Sequence, residues 1–89
     1  MSCSRTLEIT NRRGLHARAS AKFVSMAAEL PSAVEVEKDG NKVLGTSIMG
    51  LMMLGAAMGD TITIHCDGDG CAESLDRLSA LVTDRFGED

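Results

Sequence analysis

Eighty-nine residues with 44% hydrophobic content suffice for one modest two-layer core, and with Phe23 and Phe86 as the only aromatics that core must be aliphatic. Thirteen acidic residues against nine basic ones leave a net charge of −4, which argues against a nucleic-acid binder of the general electrostatic kind. No apolar run approaches the roughly 20 residues that span a bilayer, and the first residues lack an apolar signal core, so a cytoplasmic protein without membrane contact is expected.

Arg5 to Thr10 alternates, with Leu7 and Ile9 on one face and Thr6, Glu8 and Thr10 on the other, which predicts a half-buried strand. Asn11 to Gly14 is a loop. From Ala17 to Leu30 the chain holds helix-tolerant residues with neither Gly nor Pro, and Pro31 ends the run. Ala17, Ala21, Val24 and Ala28 form one stripe with Phe23 and Ala27 beside it, the expected sheet-facing side, while Ser20 reads as a helix-surface residue.

Ala33 to Lys38 and Asn41 to Leu44 flank Asp39-Gly40, a hairpin signal. Ser47 stands where the N-cap of a short apolar helix, Ile48 to Leu54, should be. Thr61 to His65 is the cleanest strand, with Ile62 and Ile64 inward and His65 outward, without an assigned role. Ala72 to Phe86 predicts an amphipathic helix on Leu75, Leu78, Leu81 and Val82, closed by Gly87, and Glu88-Asp89 reads as a solvated tail. Together these elements predict an α+β open-faced sandwich: a four-stranded antiparallel sheet with three helices on one face, one domain over 1–89.

Cys3, Cys66 and Cys71 make an odd count with no Cys-x-x-Cys spacing. Reduced thiols are therefore expected, not a disulfide framework, and no metal or cofactor.

The chemistry gathers at Gly14-Leu15-His16-Ala17-Arg18. His16 falls at a helix start, where the first N–H groups lack partners and the peptide dipoles leave partial positive charge. A phosphoryl group on the ring would find hydrogen bonds from the amides of Ala17 and Arg18 and from the Arg18 guanidinium. Five basic residues and one acidic one lie between Met1 and Lys22, so this end suits an anion or an acidic protein. Arg13 reads as a solvated loop charge. Thirty residues on, Ile48, Met49, Leu51, Met52, Met53 and Leu54 leave a short helix little polar face. Met49 and Met52 are the expected contact residues, since a thioether chain adapts to several partners, although a wholly buried set is an equal alternative.

The pair of motifs, Gly14 to Arg18 and Ser47 to Gly55, resembles the HPr family, small phosphocarriers of the bacterial phosphoenolpyruvate-dependent phosphotransferase system. The resemblance covers essentially the whole chain. It implies that His16 is phosphorylated on Nδ1 by enzyme I and passes the group to a IIA-type protein, and that Arg18 steadies the phosphoryl charge. It further implies that Ser47 is the site an HPr kinase/phosphorylase uses in some bacteria, and that Ile48, Met49 and Met52, with Ala21 on the adjoining helix, form the docking patch. Such a carrier is a stoichiometric phosphoprotein, not an enzyme, and is expected to be a monomer. Ala19 replaces the proline usual after the arginine, a form that resembles the nitrogen-type, regulatory branch. A regulatory binding module governed by Ser47 is the competing expectation.

Overall fold

The computed structural model describes residues 1–88; Asp89, half of the expected tail, lies outside the described residues. In chain order the elements are β1 (Ser2–Glu8), α1 (Ala17–Glu29), β2 (Ala33–Lys38), β3 (Asn41–Leu44), α2 (Ile48–Met53), β4 (Thr61–Asp67) and α3 (Cys71–Thr83), followed by a 3-10 turn over Arg85–Gly87. The sheet runs β1-β4-β2-β3 with every pair antiparallel, and the helices cover one face. This is the open-faced sandwich that the alternating strands predict.

The two central strands carry the core. Ile62, Ile64 and Cys66 of β4 and Val34 and Val36 of β2 point inward, where they meet Ala19, Phe23 and Ala27 of α1, Leu51 of α2 and Leu75, Leu78 and Val82 of α3. On the bare face the cross-strand pairs are polar: the Thr6 and Thr63 hydroxyls lie 2.9 Å apart, and His65 Nε2 is 2.8 Å from Glu37 Oε1. The hairpin closes through Asp39 and Gly40, with φ of 51° and 83°, the doubly left-handed turn whose twist matches the strands it joins.

Four local expectations change. β1 begins at Ser2 instead of Arg5, because Ser2 to Arg5 pair with Asp67 to Ile64 of β4, so tertiary pairing overrides a weak local pattern. The buried side of α1 is set by Phe23, its largest apolar residue, and comprises Ala19, Ser20, Phe23 and Ala27; Ala17 and Ala28 are exposed. Ser20 is thus a core residue and not a surface one, its hydroxyl satisfied by donating to the Leu15 carbonyl at 3.2 Å. α3 stops at Thr83, three residues early, because Arg85 and Phe86 take left-handed backbone conformations that no right-handed helix can contain.

The fourth change concerns the cysteines. Cys3 and Cys71 are joined as a disulfide between β1 and the start of α3, with Cα atoms 5.9 Å apart, and Cys66 is buried and free. A thiol count from sequence does not see that the strand order brings two of the three together. Burial pushes the Cys66 thiol up from its ordinary value, away from reactive thiolate.

Gly14 makes the closest backbone approach. At φ 63° a Cβ would stand 2.2 Å from the Ala56 carbonyl oxygen, and the next residue, Leu15, donates its N–H to that oxygen at 2.9 Å. Gly14→Ala is expected to cost roughly 2–5 kcal/mol, combining left-handed strain with a backbone clash, as read by urea unfolding. Thiol titration of the denatured, unreduced protein should find one reactive thiol, and three after reduction; three before reduction would show Cys3 and Cys71 to be merely adjacent.

Candidate functional site at the start of the first helix

Asn11 to Gly14 turn tightly. The Asn11 side chain is buried and donates from Nδ2 to the Gly14 carbonyl at 2.8 Å, while the Gly14 N–H returns to the Asn11 carbonyl at 3.2 Å. Leu15 is buried, so the next residue is delivered to the surface as the N-cap of α1. That residue is His16, whose backbone is extended and whose carbonyl accepts the Ser20 N–H at 2.9 Å. Its ring makes no capping bond. The amides of Ala17, Arg18 and Ala19, which have no acceptor within the helix, are therefore not spent on the cap residue and stay available to an anion.

The His16 side chain is 18% exposed and faces a carboxylate that the sequence does not announce: Glu88 Oε2 lies 2.5 Å from Nε2. Glu88 is no solvated tail residue. Its other oxygen accepts from Asn11 Nδ2 at 3.0 Å, and its side chain is 16% exposed. Three successive left-handed residues, Arg85, Phe86 and Gly87, turn the chain back to reach this place. The two non-glycine residues each cost about 1–2 kcal/mol, and full burial of Phe86 returns about 1.5–3 kcal/mol. Lys22 of α1 holds the turn, donating from Nζ to the Phe86 carbonyl at 2.6 Å.

Burial pushes the Glu88 carboxyl up, but hydrogen bonds from Asn11 and His16, and the charges of His16 and Lys22, outweigh it and hold the group below the ordinary glutamate value. A depressed carboxylate contributes its stability above the unfolded-state value, and that contribution is lost as pH falls through the lowered one. At neutral pH the group is a carboxylate and only accepts hydrogen bonds.

Arg18 is exposed on the first turn of α1 and makes no side-chain hydrogen bond among the described residues, so its guanidinium is uncommitted. Arg13 is also exposed, in the loop. Ser47 caps α2, its Oγ accepting the Gly50 N–H at 3.0 Å. Only Leu51 of α2 is buried. Ile48 and Met52 are about two-fifths exposed and Met49 is 70% exposed, which decides against a wholly buried set. Ala21 is half-buried on α1, the helix against which α2 packs.

Sequence reasoning missed Glu88, Asn11 and Met53. Met53 is 81% exposed and follows Met49 at helical spacing, so the i, i+4 pattern was there to be read. Asn11, three residues before Gly14, had the form of a turn that an asparagine side chain closes. Glu88 had no signal: Arg85 and Phe86 seldom adopt left-handed conformations, so nothing in the sequence announces the turn that brings it back.

Among the described residues no group of three or more metal-ligating side chains gathers, and no helix is long and apolar enough to cross a membrane. A family model described as "PTS HPr component phosphorylation site" matches residues 3–84. The phosphocarrier protein HPr of Cupriavidus necator is 46% identical over 84 residues, 94% of each chain. The phosphocarrier protein NPr of Shewanella violacea is 37% identical over 84 residues, 94% of this chain and 92% of its own. The crystal structure of HPr-C-His from Thermoanaerobacter tengcongensis superposes with a TM-score of 0.93 at 41% identity, covering 98% of each chain. With a family model over nearly its full length, relatives of like size and a matching fold, this chain belongs to the HPr family of phosphocarrier proteins.

Proposed function

We propose that the protein accepts a phosphoryl group on His16 Nδ1 from phosphorylated enzyme I and passes it to a IIA-type protein. The observation that carries this is a histidine at an open helix start, bonded through its neighbour Leu15 to the loop after a helix that exposes Met49 and Met52. A nucleophile beside an adaptable apolar surface serves a carrier that must meet several partners in turn. The amides of Ala17 and Arg18 and the Arg18 guanidinium receive the phosphoryl oxygens.

No active-site closure and no metal take part in this reading: the labile P–N bond keeps the transfer potential, and the protein holds the group exposed and aimed. It acts stoichiometrically, not as an enzyme, as a single domain and a cytoplasmic monomer. In a reducing cytosol the Cys3–Cys71 bond is the part of the structure that would open. The nitrogen-type branch is favoured by Ala19 after Arg18 and by the NPr relative.

A second reading gives Ser47 the leading role. Its hydroxyl already caps α2, so a phosphate there, added by an HPr kinase/phosphorylase, would meet the same helix start and leave the fold intact. Charge would then be added at the edge of the patch formed by Ile48, Met49, Met52 and Ala21, repelling an acidic partner surface.

With labelled phosphoenolpyruvate and enzyme I of the nitrogen or sugar type, the protein should take up acid-labile label, and His16→Ala should take up none. Met49→Glu should raise the KM of enzyme I for this protein at least about fivefold, the scale of a 1 kcal/mol interface loss, with the kcat of enzyme I nearly kept. A folded sample that takes no label from either enzyme, and whose signalling is lost in Ser47→Ala, would instead support the regulatory module.

A further inference from the structure

Seventy-two residues separate His16 from Glu88, yet their side chains share one shielded contact at 2.5 Å. A carboxylate can only accept, so this contact requires the ring's hydrogen on Nε2. In the neutral ring the free lone pair is then on Nδ1. The carboxylate is itself fixed: Asn11 Nδ2 donates to Oε1 at 3.0 Å, Phe86 is buried two residues before it, and Lys22 grips the Phe86 carbonyl at 2.6 Å. Both partners are less than one-fifth exposed, so water competes weakly for the ring.

We propose that Glu88 is a positioning residue for phosphoryl transfer, holding the His16 ring in the tautomer that attacks through Nδ1 and offsetting the positive charge the ring acquires. The proposal rests on the phosphocarrier reading given above. In the step, the Nδ1 lone pair forms the bond to phosphorus as the bond from phosphorus to the donor breaks, and its electron pair leaves with the donor atom. No proton need move. The product ring carries phosphorus on Nδ1 and hydrogen on Nε2 and is therefore cationic, with the Glu88 carboxylate already against it. Return of the phosphoryl group to an acceptor restores the neutral ring and the same hydrogen bond. Because Glu88 touches Nε2 alone, it orients the nucleophile without occupying its place.

The test pairs nitrogen NMR of the histidine ring in the unphosphorylated protein with the rate of label uptake from enzyme I. At a pH where the ring is neutral, the intact protein should show Nε2 protonated and Nδ1 bare. Glu88→Ala should give a mixture of tautomers and accept phosphoryl groups about 10- to 100-fold more slowly, taking as the scale the penalty for removing the partner that orients a metal-bound histidine. Glu88→Gln keeps an acceptor without the charge, and should restore the tautomer and part of the rate. A Glu88→Ala protein with the intact tautomer or the intact rate overturns the proposal, as does a Glu88→Gln protein that restores neither. If the intact protein takes no label, the phosphocarrier reading fails by itself, and the ring spectra still decide whether Glu88 sets the tautomer.

Discussion

The site depends on one close approach of backbone to backbone. Gly14 can lie against the Ala56 carbonyl only because it has no Cβ, and that same oxygen accepts the Leu15 N–H. The contact ties the loop before α1 to the loop after α2. His16 is the next residue, so the start of the helix and the methionine-bearing helix are held as one surface although about thirty residues part them in sequence. Any relaxation at Gly14 would let His16 and the exposed methionines move independently, and a partner that met both would then have to order them as it binds.

The chain after α3 answers a second need. A helix start favours an anion on His16 but does not say which nitrogen bears it. The loop before α1, Thr10 to Leu15, holds no acidic residue, and the carboxylate comes from the far end of the sequence by way of a strained turn. The strain of Arg85 and Phe86 is of the same order as the gain from burying Phe86, so the turn sits near balance without Lys22 and the contacts of Glu88. The hydrogen bonds that orient His16 also help hold the tail in place.

Much of this was legible in the sequence. Alternation gave β2 and β4 as far as His65, Asp39-Gly40 gave the hairpin and with it β3, Pro31 gave the end of α1, and Ser47 gave the cap of α2. His16, Arg18, Ser47 and the methionines were marked by residue type and spacing. What escaped depended on tertiary placement. The buried side of α1 was misjudged because a helix with alanine on several sides has an ambiguous stripe until one large residue, Phe23, seats it. Cys3 and Cys71 meet only because β1 is an edge strand running beneath α3. The backward turn into Glu88 uses residues that seldom adopt left-handed conformations, so local preference pointed the other way.

The two ends of the described chain lie differently with respect to the chemistry. Met1 leads into β1, whose seven residues span about 23 Å, and its carbonyl is bonded to Gly68 beside the start of α3. Glu88, by contrast, rests on the His16 ring itself. A fluorophore, affinity handle or fused domain placed ahead of Met1 would thus hang at the remote edge of the sheet, whereas the same addition beyond Glu88 would emerge close to the His16 ring. The natural point of attachment for reporting on this molecule without disturbing it is the front of the chain.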